Sequence, residues 1–265
     1  MGADRFRLGR TSLDRLACVI VIGNEILSGR IRDSNIQFLA VALGRVGIRV
    51  KEVRVVADDE AAVIAAVNAC RFIYDYVFTT GGIGPTHDDI TTACIAKAFG
   101  VPLHRHPEAL ERLTRYYGAS LNPARLRMAD LPEGATLIDN PISQAPGFRL
   151  GNVFVMAGVP RVMQAMFDGV RPGLQGGPAM ASRTVTAYVR EGDLADGMTA
   201  IQTRNPTVEI GSYPFFRNDR LGVSVVTRGY DADAMATASG EIETLMRALG
   251  GDPQPVDLAA EDGEP

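Results

Sequence analysis

The feature that most constrains this chain is a threefold alternation. Apolar, Val- and Ile-rich runs are each followed, over a short connection, by a segment of helical spacing. LACVIVIG (16–23) is continuously apolar, the pattern of a strand buried on both faces of a parallel sheet. Asp33 and Ser34 then stand where a helix cap is expected, ahead of Ile36, Leu39, Ala40 and Leu43 on one helical face. IRVKEVRVVA (48–57) reads as a second strand, and Asp58 or Asp59 caps a helix with Val63, Ile64 and Val67 inward. YDYVFTTGG (74–82) is a third strand. DDITTACIAKAFG (88–100) reads as a helix opened by Asp88 or Asp89 and stopped at Gly100 and Pro102. This order predicts an α/β fold with a doubly wound parallel sheet and helices on both faces.

The remainder completes two expected domains. Residues 103–133 read as a helical excursion and a polar loop. ATLIDN, GFRL and NVFVMAG are three short strands with a tight turn at Gly151-Asn152, and PRVMQAMFDGV (160–170) is a closing helix. RPGLQGGPAMAS (171–182) reads as a linker, which bounds a first domain over 16–172. Beyond it, 183–250 spells a β-α-β-β-α unit, a small α+β module. The Arg-rich residues 1–15 are expected to be a flexible arm, and the Pro- and acid-rich 251–265 a disordered tail.

Charge excludes some partners. The chain carries 31 acidic and 27 basic side chains, net −4, so broad electrostatic binding to nucleic acid or anionic lipid is not expected. No apolar run reaches the roughly 20 residues of a membrane helix, and the first residues lack a secretory apolar core. The expectation is a cytoplasmic protein. Cys18, Cys70 and Cys94 are odd in number and form no C-x-x-C pair, so neither a disulfide framework nor a structural zinc site is expected.

In an open parallel sheet, ligands bind outside the carboxyl ends of the strands. Gly23, Asn24, Glu25 and Ser28 follow the first strand, Asp58 and Asp59 the second, and Gly158 and Pro160 the late hairpin. The third strand runs into TTGGIGPTHDDIT (79–91), in which Gly81, Gly82, Gly84, Thr86, Asp88, Asp89 and Thr91 crowd one turn. The glycines allow close backbone approach, and the helix start that follows suits a phosphate. No Gly-Lys-Ser/Thr follows, so this is not a Walker loop, and a dinucleotide fingerprint would follow the first strand instead. Carboxylates beside a phosphate site point to a hard divalent cation; Glu25, Asp58, Asp88 and Asp89 are the candidate ligands. Asp58 and Asp59 read equally well as helix caps.

GNEILSGRIRDSN, VVADDEAAV, TTGGIGPTHDDIT and FVMAGVP, in this order, resemble the molybdopterin-binding fold of molybdenum cofactor biosynthesis. The likeness is to the N-terminal part of the CinA (competence/damage-inducible protein A) family, and the amino-terminal domain of eukaryotic FAD synthases is similar. It covers roughly 16–170, while 183–250 resembles the KH-type module that follows in CinA. The deamidase domain ending full-length members has no counterpart here, which implies a stand-alone form. Molybdopterin adenylyltransferases of this fold use two aspartates, matched here by Asp58 and Asp89. CinA-like members are associated with metal-dependent cleavage of dinucleotide pyrophosphates such as ADP-ribose or FAD. The GPTHDDIT wording is closer to the latter. The resemblance thus implies pyrophosphate hydrolysis with Mg²⁺, Mn²⁺ or Co²⁺, Asp58 or Asp89 orienting the water. A molybdopterin-binding or adenylyltransferase role and a non-catalytic ligand-binding module are the alternatives. Asn140, in NPISQAPG, matches a family loop near the ligand. Two departures bear on loop shape: Asn24 stands where Thr or Ser is common, and Ala157 where Pro often precedes Gly-Val-Pro.

Other signals read more plainly. His87 is a turn histidine or an acid/base group; His104 and His106 are a surface pair; Arg30, Arg32 and Asp33 are exposed charges at a helix start. The C-terminal module has no GXXG loop between its first helix and the next strand, so RNA binding is not expected. Packing, or subunit contact in a homo-oligomer, is the expected role, with YPFF (213–216) as an exposed apolar patch.

Overall fold

The structure, a computed structural model, describes residues 15–217 and 219–256. The arm expected over 1–15 lies outside them save for Arg15, which opens the first strand. The chain divides into two compact units, one ending at Pro178 and one beginning at Ala179.

The first unit runs β1 (Arg15–Ile22), α1 (Asn24–Leu27), α2 (Asn35–Arg45), β2 (Ile48–Val56), α3 (Glu60–Arg71), β3 (Tyr76–Thr80) and α4 (Thr91–Phe99). It continues with β4 (Leu103–Arg105), α5 (Pro107–Tyr117), α6 (Pro123–Leu126), β5 (Asp130–Pro132), β6 (Thr136–Ile138), β7 (Gly147–Leu150), β8 (Val153–Met156) and α7 (Pro160–Val170). Its main sheet has the order β2-β1-β3-β8-β7-β6, with β2, β1, β3 and β8 parallel and β7 antiparallel to both neighbours. Alternate residues of β1 feed opposite cores. Cys18, Ile20 and Ile22 pack with Val63 and Val67 of α3 and Cys94 and Ile95 of α4. Ala17, Val19 and Val21 pack with Leu39 and Leu43 of α2 and Met163 and Phe167 of α7. Burying each large side chain contributes about 1.5–3 kcal/mol, so a fully apolar β1 is what two-sided burial demands. The doubly wound α/β architecture is therefore as expected. The order of strand addition reverses at the β1/β3 boundary, with α2 and α3 on opposite faces.

Local chemistry sets the element starts. Asp33 Oδ1 accepts from the Ile36 N–H at 2.8 Å, and Asp59 Oδ1 from the Ala62 N–H at 2.9 Å, so Asp59 rather than Asp58 caps α3. α4 differs from the expectation: it begins at Thr91, not at Asp88 or Asp89, and no side chain caps it. Thr91 instead donates its N–H to Gly82 O at 3.0 Å and its hydroxyl to Gly81 O at 2.9 Å.

One irregularity interrupts β2. Ala17 pairs with Val50, but Cys18 pairs with Glu52, so Lys51 is an extra residue. After this bulge, Glu52, Arg54 and Val56 share a face with Cys18, Ile20 and Ile22, and Val53 and Val55 turn outward, 39% and 37% exposed. The stretch expected as a linker instead packs on this unit through residue 177: Tyr76 Oη donates to Gln175 O at 3.0 Å, and Gly177 N to Gly47 O at 3.1 Å.

The second unit is β9 (Ala181–Ala187), α8 (Glu191–Arg204), β10 (Glu209–Arg217), β11 (Arg220–Gly229), α9 (Ala232–Ala248) and β12 (Gln254–Val256). Its antiparallel sheet has the order β10-β11-β9-β12. Val185, Ala187, Val223 and Val225 of the sheet pack against Leu194 and Ile201 of α8 and Ile242 and Met246 of α9. Asp231 Oδ1 caps α9 by accepting from the N–H groups of Asp233 and Ala234. Tyr213 and Phe216 are exposed, as expected. The tail over 251–265 is corrected in part. Gln254–Val256 pairs with β9, because a strand edge left there by the sheet accepts it, and residues 257–265 lie outside the described ones. No helix among the described residues is long and apolar enough to cross a membrane.

Candidate functional site

A cleft of about 520 Å³ lies outside the carboxyl ends of β1, β3 and β8. That is where an open α/β sheet places ligands, at the boundary where strand order reverses. Four segments wall it: 25–35 after β1, 81–89 after β3, 140–145 between β6 and β7, and 157–162 after β8, with Tyr117 and Met128 closing one side. The volume falls within the range of small-molecule sites, roughly 300–1,000 Å³.

The glycines make the walls meet. Gly81 has φ +103°, and a Cβ there would stand 2.1 Å from Ile22 O; Gly82 has φ +66°, and a Cβ would meet Thr91 Oγ1 at 2.3 Å. No other residue fits these two positions without displacing β1 or α4. Gly158 in turn faces Gly81 Cα, 3.2 Å from where its own Cβ would be. The glycines thus pack loop on loop and so shape the rim.

The carboxylates divide into two groups. Asp89 lines the cleft, and its Oδ2 accepts from the Thr86 N–H at 2.8 Å and the Thr86 hydroxyl at 2.5 Å, closing a turn. Glu25 and Asp33 also line it, beside Arg32. Asp58 does not; its Oδ2 accepts from the Asn24 N–H at 2.8 Å and ties the end of β2 to the first loop. Asp88 and His87 point to solvent, their side chains 60% and 99% exposed.

Of the residues singled out in the sequence, Glu25, Gly81, Gly82, Gly84, Asp89, Asn140, Gly158 and Pro160 meet at the cleft. Gly23, Asn24, Ser28, Asp58, Thr86, Asp88 and Thr91 stand behind it or away from it. Asn140 is buried, and its own loop takes up its bonds: Nδ2 donates to Ser143 Oγ at 2.7 Å and Ala145 O at 2.8 Å. Arg32, exposed as expected, and Asp33, half-buried, also belong to the wall. Asn35 was not anticipated. It is buried, donates to Gly158 O at 2.8 Å, and its Oδ1 has no partner among the described residues. It is the last residue of the GNEILSGRIRDSN stretch, which was a usable signal. Tyr117 and Met128 reach the cleft from distant segments and carried none, while Ser143 comes with the Asn140 loop.

The donor chemistry constrains a metal. Asp58, Asp88 and Asp89 do not come together as a ligand set; among the described residues no three carboxylates lie close enough to share an ion. Glu25, Asp33 and Asp89 are the cleft carboxylates, the two aspartates each with one oxygen engaged by a backbone N–H. One or two carboxylates completed by substrate phosphate oxygens and waters is the habit of Mg²⁺-type ions, so the residues fit a cation that arrives with its ligand.

Residues 18–176 match the family described as "Probable molybdopterin binding domain", and residues 179–250 match "FAD synthase, middle domain". A "CinA-like protein" of Syntrophus aciditrophicus is 36% identical over 244 residues, covering 86% of this chain and 58% of that protein. The chain therefore spans under two thirds of that relative. An Archaeoglobus fulgidus protein is 36% identical over 230 residues, covering 86% of this chain and 96% of its own length. A "Probable FAD synthase" of Caenorhabditis elegans is 31% identical over 268 residues, covering 91% of this chain and 52% of its own. The crystal structure of the protein CinA from Thermoplasma acidophilum superposes with a TM-score of 0.58 at 36% identity, covering 61% of this chain and 99% of that one. With three of the four motif-bearing loops gathered on one cleft and the family match covering residues 18–176, this chain belongs to the molybdopterin-binding domain family, among its CinA-like members.

Proposed function

We propose that the cleft binds a phosphate-containing nucleotide or pterin together with a divalent cation (Mg²⁺, Mn²⁺ or Co²⁺), and that it hydrolyses a dinucleotide pyrophosphate of the ADP-ribose or FAD type to release AMP. The observation that carries this reading is the charge of the wall: Glu25, Asp33 and Asp89 against the single guanidinium of Arg32. A pyrophosphate brings further negative charge to a wall already negative, so a cation must accompany it. Ile26, Ile83 and Val159, which also line the cleft, offer an apolar surface for a flat ring. A bound divalent cation supplies Lewis-acid polarisation of phosphoryl oxygens and a water of lowered pKa. Asp89, with Oδ2 held by Thr86, orients the attacking water through Oδ1 and accepts its proton. The water oxygen bonds to the adenylate phosphorus, the anhydride P–O bond breaks, and AMP and a second phosphomonoester leave.

The experiment is incubation with ADP-ribose, FAD and related dinucleotides with each metal, followed by chromatography for AMP. Absence of AMP with every substrate and metal overturns hydrolysis. The family match over 18–176 supports a second reading, pterin binding with or without adenylyl transfer. Tight pterin binding without AMP release selects it.

A further inference from the structure

We propose that Cys18, Glu52 and Cys70 form a second site, separate from the cleft, for one zinc-class divalent cation. The spacing of the cysteines along the chain argues against such a site, but the parallel sheet brings distant ones together. Cys18 of β1 and Cys70 of α3 are both fully buried, with Sγ atoms 3.2 Å apart. One ligand atom from each cysteine and one carboxylate oxygen of Glu52 all lie within 4.8 Å of one another, a grouping found nowhere else among the described residues. Tetrahedral zinc with Zn–S near 2.3 Å sets sulfurs about 3.8 Å apart, so the thiols need open by only about 0.6 Å.

The bulge at Lys51 is the independent observation. Without it, Lys51 would face Cys18, and Val53 and Val55 would turn to the α3 side; with it, both valines are exposed, and a carboxylate and a guanidinium are directed at a thiol pair. Bulges re-aim side chains in this way, and a departure from apolar patterning with no gain in packing marks a site. The surroundings suit a metal. Tyr74 Oη donates to Glu52 Oε2 at 2.6 Å, and Arg54 Nε to Glu52 Oε1 at 2.6 Å, so the carboxylate is oriented by second partners. Two thiolates, one carboxylate, a divalent cation and Arg54 sum to zero charge. Cys18 already donates its S–H to Cys70 Sγ, and Arg54, paired with Ile20, stands on the same face of the sheet as Cys18 and Glu52. Glu52 and Arg54, 30% and 34% exposed on the outer strand β2, provide the entry path. Three protein donors leave the fourth tetrahedral position to water.

The full chain, kept reduced and stripped of metal by chelator, is titrated with Co²⁺ as an optical probe, and then with Zn²⁺ in competition. The expected result is one equivalent bound with thiolate-to-cobalt charge-transfer absorption, lost in Cys18→Ser and Cys70→Ser and retained in Cys94→Ser. Glu52→Gln, at a half-exposed position, folds even if the core serines do not, and is expected to weaken Zn²⁺ at least 10-fold. Asp89→Asn leaves the absorption intact, which separates this site from the cleft. No charge-transfer absorption in the wild-type chain, absorption that survives both serine substitutions, or unchanged affinity in Glu52→Gln overturns the proposal.

Discussion

Asp58 Oδ2 accepts the backbone N–H of Asn24 at 2.8 Å, across 34 residues of chain, and so fastens the end of β2 to the first turn after β1. The N–H is one that a short helix leaves without an internal partner. Glu25, the next residue, is a cleft carboxylate. Asp58 therefore acts on the cleft through the loop it holds. Asp58→Ala is expected to cost about 1 kcal/mol of stability, read as a lower urea midpoint, and to weaken cleft ligand binding by calorimetry. Asp58→Asn, whose amide oxygen still accepts, recovers most of both.

The glycine turn offers a stability contrast. Gly81→Ala meets Ile22 O at 2.1 Å in a left-handed backbone and is expected to lose more than about 2 kcal/mol. Gly44→Ala, in α2 with open space around it, is expected to gain about 0.5–1 kcal/mol. Paired urea melts check both, and a neutral Gly81→Ala would show that the rim is looser than its contacts indicate.

Asp89 carries two duties, closing the turn and facing the cleft. Asp89→Ala is expected to lower AMP release at least about 100-fold, while Thr86→Val, which removes one of the two bonds to Oδ2, lowers it by about 10-fold. A chelator is expected to abolish release in the wild-type chain and excess metal to restore it. Activity indifferent to the chelator would remove the cation from the cleft chemistry.

Glu52 predicts a pH dependence. The Tyr74 hydroxyl and then Arg54 hold its carboxyl below the usual carboxylate value. A carboxyl lowered in the folded state contributes stability that is present above its unfolded pKa and lost as pH falls through its folded one. In the metal-free chain, Glu52→Gln is thus expected to be about 1 kcal/mol less stable near neutrality, discounted for partial exposure. The difference is expected to shrink as pH falls below the ordinary carboxylate range. Thermal melts of both chains across that range test it.

Much of this fold was legible because strand burial is written in composition. LACVIVI admits no polar face, and β1 has none. The glycine-rich turn after β3 was legible for a similar reason, since few backbones need three glycines together. The bulge in β2 was not. IRVKEVRVV reads as an ordinary strand, and the register that places Glu52 over Cys18 depends on a partner strand. Asp58 was ambiguous between cap and ligand because two adjacent aspartates precede α3; only the contact with Asn24 separates them. The start of α4 was misplaced by three residues because Asp88 and Asp89 are good caps in isolation. The Gly82 carbonyl and the Thr86 turn took their place.

The four-stranded sheet of the second unit ends in a proline on each side: Pro214 in β10 and Pro255 in β12. Each outer strand thereby lacks one of the amide donors that an incoming strand would need. Strand addition at either margin is therefore less favourable by one backbone hydrogen bond. The exposed surface of β10 instead offers side chains, Tyr213 and Phe216 among them.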